Sequence, residues 1–542
     1  MRCRTAAAAC CLFAGLAHAG DAVPHGVGVL PLRAALHEDV RVLWMGDSYS
    51  IPSLDRPSAG SLLSWRIDRW TAFQTGDGPS WFCAGFEELA PGIATISGAN
   101  AYRLHPVEAD TDPRFGLPLW RLREFVPGAG STDPVDLMRY RMRPYLVAAG
   151  FAGRFVFAGD TASVRPLLLD APGTSASVAS ITIAGGPSGD YAFDPRSETR
   201  PRRLDGQDPD ADAPVAPSDG QIYAPAQDYP VVGTSATELE WTLSITPDGA
   251  APANIVHPAG FVTYRTDSGA REPGLYFSAL ADGSWSYSGF GSDVPSGTPG
   301  YSSKVFSRAQ LAHWLDATTL DPEQPLLVFY LLAVEDIPPE EARVAMESMI
   351  DQTAGAAADA GLGPVHQCLV IPWLHRVDGQ ENPTRFPEQR NQAFAIAASR
   401  PDVSAVSIYD ATDHQLFDGG AASRAWLAAN GYDDFRYGAY SADLSVDGGG
   451  ANGGLLDVFR SHPGSRDGAA FFAHIVEKTI VDACPADYAS PWGTLDLADI
   501  NGFVARFVGG EPSADLALPT GLLDLQDLSA FVKSFVAGCA AD

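Results

Sequence analysis

Along much of this chain short apolar runs alternate with amphipathic stretches, the pattern of strands buried on both faces and joined by helices. Val40 to Met45 is one such run, and it ends in the turn-like Gly46-Asp47-Ser48. A helical stretch follows at about Ser61 to Phe73. From Ser175 to Ser278 the texture changes to alternating strand-like segments, such as Val178 to Ile183 and Glu238 to Ile245. A polar, Pro/Asp-rich stretch from Asp194 to Asp219 lies between them and reads as a surface loop or linker. The βα alternation then returns. Pro325 to Val334 is a predicted strand, Pro339 to Ala354 a helix, Val365 to Pro372 a strand, Glu388 to Ser399 a helix, Val403 to Tyr409 a strand and Gly468 to Ile480 a closing helix.

This alternation predicts an α/β fold, a three-layer doubly wound parallel sheet, interrupted by an inserted all-β domain of sandwich type. The expected boundaries are 20–150 for the first part of the α/β domain, 151–280 for the insert, 281–482 for the second part and 483–542 for a small α-helical repeat module. In that last segment Asp487, Gly493, Asp496, Asp499, Phe503 and Phe507 recur 28 residues later as Asp515, Gly521, Asp524, Asp527, Phe531 and Phe535. Each unit is an Asp-rich turn followed by a helix with Phe at i and i+4, so both rings share one face.

The N-terminus adds a destination. Arg2 and Arg4, an Ala-rich apolar run and Ala17-His18-Ala19 make residues 1–19 a predicted secretory signal peptide, a short N-terminal helix being the alternative. Beyond that segment no run of about 20 apolar residues is present, so no membrane-spanning helix is expected. The charge balance of 36 Lys+Arg against 66 Asp+Glu, net −30, argues against nucleic acid or an anionic membrane as partner. Removal of residues 1–19 leaves Cys83, Cys368, Cys484 and Cys539. In an oxidising compartment Cys484 and Cys539, which bracket the last segment, are expected to pair. That closes a loop of 56 residues and stabilises by about 4 kcal/mol in the chain-entropy model. Cys83 with Cys368 follows by elimination.

Ser48 stands where a strand meets a turn, so its backbone N–H and a following helix dipole can stabilise an oxyanion, although an N-cap serine looks the same. Far downstream Ser461-His462-Pro463-Gly464 precedes the closing helix and supplies a loop histidine able to act as a base. Together Gly46-Asp47-Ser48 and His462-Pro463 resemble the first and last blocks of the SGNH/GDSL hydrolase family. The resemblance covers the α/β parts and implies an SGNH-type fold, with Ser48 as nucleophile and His462 as general base. Phe459 occupies the family's Asp position three before His462, which leaves Asp457 as the candidate that orients the imidazole. Gly291, in Ser288-Gly289-Phe290-Gly291-Ser292, is the candidate second oxyanion donor beside the Ser48 backbone, and Glu335 stands where the family has an Asn donor.

The terminal repeats, closing in Gly538-Cys539, resemble dockerin modules. That likeness implies calcium on Asp487, Asp496, Asp499, Asp515, Asp524 and Asp527, and a surface or scaffold partner. The loops depart from the family, each having one extra residue and no acidic ligand between its ends, as in Asp487 to Gly493. No catalytic cofactor is expected.

Other candidates are His375 as a cleft or solvated loop residue, Asp413-His414 as a dyad in sequence only, and Trp285 and Tyr287 as sugar-stacking or simply packed aromatics. The expected function is therefore a secreted serine esterase that deacylates an extracellular carbohydrate or a small ester. A non-catalytic glycan-binding protein on the same fold is the alternative from another class.

Overall fold

The computed structural model describes residues 25–37, 39–46, 308–335, 337–377, 384–432, 466–484, 486–489, 495–510 and 522–538. It also describes the strands named below and the single positions Tyr287, Leu455, Leu456, Pro463, Ala514 and Leu516. In chain order the first elements are β1 (Gly26–Val27), α1 (Val29–Ala35), β2 (Val40–Gly46), β3 (Trp81–Cys83), β4 (Trp120–Pro127), β5 (Phe151–Ala158), β6 (Ser163–Asp170), β7 (Ala179–Gly186) and β8 (Gly189–Phe193). Then come β9 (Gln221–Tyr223), β10 (Tyr229–Pro230), β11 (Glu238–Pro247), β12 (Val256–Tyr264), the hairpin β13 (Thr266–Asp267) with β14 (Ala270–Arg271), and β15 (Leu275–Ala281). The βα part continues with α2 (Arg308–Thr318), β16 (Leu326–Leu331), α3 (Pro339–Asp359), β17 (Val365–Ile371), the hairpin β18 (Arg376–Val377) with β19 (Gln380–Glu381), α4 (Arg385–Ser399), β20 (Val403–Ser407), α5 (Ile408–Ala411) and α6 (Ala421–Ala429). After the hairpin β21 (Arg436–Tyr437) with β22 (Tyr440–Ser441) the chain ends in α7 (Arg466–Asp482), α8 (Leu497–Gly509) and α9 (Leu525–Ala537).

The core of the molecule is the run of parallel strands β15-β2-β16-β17-β20, with β1 antiparallel on one edge and the three-residue β3 parallel to β15 on the other. Counted in chain order these five strands lie 2-1-3-4-5, the flavodoxin-like order of a doubly wound sheet. Both faces are covered, which is why β2 and β16 are apolar without alternation. On one face Leu43, Met45, Val328, Tyr330 and Leu369 join Leu311, Met346, Ile350 and Phe386 of α2, α3 and α4 in one cluster. The opposite parity, Val42, Trp44, Phe329, Val370 and Val406, is buried too. On that side α1 and α7 pack against each other and against β20.

Arg41 is the charged exception inside β2. Its guanidinium donates to the Leu315 carbonyl at 2.9 Å and to the Thr318 and Thr319 hydroxyls, so a buried cation sits at the C-terminus of α2, where the helix dipole favours it.

Several boundaries move for physical reasons. α3 runs past the predicted Ala354 because Gly355, which as glycine suggests a stop, leaves room for Arg308. A Cβ there would lie 2.7 Å from the guanidinium, which crosses the helix to grip Asp359 at 2.6 and 2.7 Å. β20 ends at Ser407 rather than Tyr409, because the Ser407 hydroxyl accepts the Asp410 backbone N–H at 3.1 Å and caps α5.

β15, within the range assigned to the insert, is a parallel strand of the central sheet. β3 continues that sheet beside β15, and β12, β6 and β10 follow antiparallel, with β9 on β6. The strands β4-β5-β11-β7-β8 form a separate antiparallel sheet. Range 151–280 thus supplies strands to both sheets. The predicted helix at 61–73 lies outside the described residues.

The pairing of Cys83 with Cys368 is overturned. Cys368 is a free, buried thiol on β17, and β3 lies four strand spacings away, about 19 Å at the usual inter-strand distance. A disulfide needs Cα atoms within about 7 Å. Cys484 is buried and disulfide-bonded, while Cys539 lies outside the described residues. Among the described residues no helix is long and apolar enough to cross a membrane.

Burial also predicts acid sensitivity. His37 is held down to about 2 by burial and by the charges of Arg33 and Arg506, and burial brings His366 to about 4. Both imidazoles are neutral when folded, whereas the unfolded chain takes up protons below about 6.5. Stability is therefore full above that pH and falls as pH drops through the window, by about 1.4 kcal/mol per unit for each histidine. In denaturant titrations at pH 7, 6 and 5, His37→Leu is expected to remove one proton's worth of the slope; an unchanged slope refutes the assignment.

Candidate functional site

The strand order creates a topological switch point at β2, which is flanked by the later strands β15 on one side and β16 on the other. At its C-terminal end Gly46 lies between Ala281 of β15 and Leu331 of β16. Open α/β sheets bind ligands in the crevice outside these carboxyl ends. Asp47 and Ser48 follow Gly46 in sequence, and Glu335 follows β16.

Glu335 is half-buried, and its backbone is held by Gln389, a fully buried side chain on α4. The Gln389 amide donates to the Glu335 carbonyl at 2.5 Å and its oxygen accepts the Glu335 N–H at 3.3 Å. That backbone N–H is thus already committed. The carboxylate cannot donate a hydrogen bond unless protonated.

Past β17, Trp373 stacks on Phe472 of α7 with ring centroids 4.0 Å apart. His375, expected in a cleft or a solvated loop, is fully buried: its Nδ1 is 2.8 Å from the Trp373 carbonyl and its ring meets Phe386 edge-on. Past β20, the buried Asp410 accepts from Arg390 Nη1 at 2.5 Å and from the Ser407 hydroxyl, and lies 3.2 Å from His414 Nε2. The carboxylate partner of His414 is therefore Asp410, not the adjacent Asp413, which instead accepts from Trp426 Nε1 at 2.8 Å. Asp413 and His414 both have positive φ, 47° and 61°, and His414 lies flat on Tyr409.

The entry to α7 is fastened to this same end of the sheet. Leu456 bridges Pro463, and the Leu456 N–H donates to the Phe417 carbonyl at 3.1 Å. Phe417 packs edge-on against Phe471 and Phe472. Gly468 lets α7 approach so closely that an added Cβ would lie 2.3 Å from the Leu455 carbonyl oxygen. Ser48, His462, Asp457 and Gly291 lie outside the described residues. Their described chain neighbours Gly46, Leu456 and Pro463 belong to the β2 end and to the α7 entry.

Tyr287 is buried in the core cluster and so is not an exposed sugar platform; Trp285 lies outside the described residues. The Arg390–Asp410 pair and the Gln389 clamp escaped the sequence reading, since helix periodicity marks 389 and 390 only as polar positions beside a buried face. Ser407 and Asp410, a capping serine three residues before an Asp, are the signal that could have found one half.

No family model and no curated protein matches the sequence. Among solved structures the chain is similar to a family two carbohydrate esterase from Cellvibrio japonicus at 10% identity, covering 54% of this chain and 86% of that one with a TM-score of 0.16. It is also similar to a carbohydrate esterase family 2 enzyme with a carbohydrate-binding domain from Corynascus thermopiles (Myceliophthora fergusii), at 11% identity, 61% and 93% coverage and a TM-score of 0.23.

Proposed function

We propose that the protein is a secreted serine esterase of the SGNH type that removes acyl groups from an extracellular carbohydrate. One observation carries this: β2 ends at Gly46, at the switch point and at the end where ligands bind in this strand order, and Asp47 and Ser48 are the next residues in sequence. In the proposed mechanism His462 takes the Ser48 proton as the hydroxyl attacks the ester carbonyl, and Asp457 orients the imidazole. The backbone N–H groups of Ser48 and Gly291 hold the oxyanion, the alcohol leaves with a proton from His462, and water releases the acid from the acyl-enzyme. Glu335 in place of an Asn donor removes a contribution of about 10²–10³ in rate. That substitution favours the second reading, a glycan-binding protein without turnover.

The terminal repeats suit attachment to a surface or scaffold. They expose Leu497, Val504 and Val508 and, 28 residues on, Leu525, Val532 and Val536. The test of the enzyme is p-nitrophenol release from p-nitrophenyl acetate by the mature chain beside Ser48→Ala; equal inertness of both gives the lead to the binding reading.

The α7 entry supplies an independent check. Gly468→Ala is expected to drive a methyl into the Leu455 carbonyl, to destabilise by about 1–3 kcal/mol as overpacking does, and to lower kcat/KM through the loop that carries His462. A variant with wild-type turnover detaches that loop from the site.

A further inference from the structure

The likeness of the terminal repeats to calcium-binding loops makes their carboxylates the natural place to look for a metal, and the described ones face other partners. Asp499 Oδ1 accepts the backbone N–H groups of Tyr488 and Ala489 at 2.7 and 2.8 Å, and its Oδ2 that of Asp496 at 2.7 Å. Asp496 caps α8 through the Ala498 N–H at 2.6 Å. The second repeat repeats the scheme: Asp527 accepts from Leu516 and Asp524, both at 2.8 Å, and Asp524 from Gln526 at 2.6 Å. Asp515 lies outside the described residues. Calcium takes six to eight oxygens converging on one point. Among the described residues no group of three or more His, Cys, Asp or Glu side chains could hold an ion. The described donor set does not fit the metal that the family resemblance implies.

A cation is nevertheless present at the first loop, and it belongs to the protein. Arg33 of α1, with 5% of its side chain exposed, donates through Nη1 to Asp487 Oδ2 and through Nη2 to the Asp487 carbonyl at 2.5 Å. Asp487 is equally buried. The contact joins residues 454 apart in sequence, one on the first helix of the α/β domain and the other at the head of the first repeat. Around it Tyr488 sits edge-on against Phe503 and Phe531, whose rings stack at 4.1 Å, and Arg506 lies over the Tyr488 ring at 5.3 Å. Gly502 brings α8 against the same tyrosine, where an added Cβ would lie 3.0 Å from the Tyr488 Cβ. His37, two residues past α1, is buried within reach of the Arg33 and Arg506 charges.

We propose that Arg33 takes the place of a metal ion as the counter-cation of the first repeat, and that the Arg33–Asp487 contact fixes the repeat module on α1 so that module and domain unfold as one unit. An arginine suits this role, because its fork reaches a carboxylate and a carbonyl at once. The inference is independent of the esterase reading.

The test is calorimetric unfolding of the full mature chain with chelator and then with calcium chloride, followed by Arg33→Met, Asp487→Asn and the double variant Arg33→Met/Asp487→Asn, each also under limited trypsin digestion. The wild type is expected to show one transition whose midpoint chelator does not lower and calcium does not raise, since a ligand of the folded state raises it. Each single variant is expected to gain an earlier transition and to release a C-terminal fragment faster than wild type. The double variant should lie closer to wild type than the sum of the two singles, because no buried charge is left uncompensated. Should Arg33→Met fail to fold, Asp487→Asn and the wild-type calcium titration decide alone. A calcium-raised midpoint, single variants indistinguishable from wild type, or strictly additive effects would each overturn the proposal.

Discussion

Ser48→Ala is expected to lower the turnover of p-nitrophenyl acetate by about 10⁴- to 10⁶-fold, leaving only what binding and oxyanion donors supply without a nucleophile. His462→Ala should fall as far. The double variant should be no slower than either single, because nucleophile and base act as one unit and their losses do not add. Circular dichroism and the thermal midpoint should stay at wild-type values, since Ser48 follows the buried strand rather than filling it. Steady-state kinetics on the mature chain read the outcome. Activity that persists in Ser48→Ala at the wild-type level would remove the serine mechanism, whatever fold surrounds it.

Asp410→Ala is expected to be the most destabilising single change at the carboxyl end of the sheet, at about 3–5 kcal/mol. Arg390, with 11% of its side chain exposed, would lose its carboxylate partner and remain a charge with little access to water. The Ser407 hydroxyl and His414 Nε2 would lose the same partner. Urea titration should show a lower midpoint at an unchanged slope, because the surface exposed on unfolding is the same. Arg390→Met/Asp410→Leu should recover much of the loss, since a well-packed apolar pair replaces a buried ion pair at little cost. A shift below about 1 kcal/mol for Asp410→Ala would mean that water reaches the pair and screens it as it does surface pairs.

The α/β character of the chain was legible wherever a strand is buried on both faces. Pro325 to Val334 is an unbroken apolar run, and Val40 to Met45 and Val365 to Pro372 are apolar but for Arg41 and for His366 and Gln367, because helices cover both sides of the sheet, and that environment leaves its mark in composition. The repeats were legible as the 28-residue recurrence of Asp496 and Asp499 in Asp524 and Asp527. The use of those carboxylates was not. An Asp that caps a helix and an Asp that binds calcium are the same letter, and only the amides around Asp499 and Asp527 tell them apart. Tyr287 is the packed aromatic that was one of its two readings, whereas His375 failed for a related reason: a short loop segment has no periodicity to report on which side of the core it lies.

By itself the sequence determined the local elements of the described α/β part and the recurrence in the tail, and it offered Ser48, Asp457 and His462 as candidates. Only the tertiary structure decided the 2-1-3-4-5 order that makes the end of β2 a switch point. It also placed β15 beside β2, separated Cys83 from Cys368 by three intervening strands, and joined Arg33 to Asp487 and Arg390 to Asp410. The physical reason is one of range. Hydrophobic period and capping act over a few residues and are written into neighbouring letters, whereas a buried charge finds its partner by strand order and packing, across 454 residues in the case of Arg33.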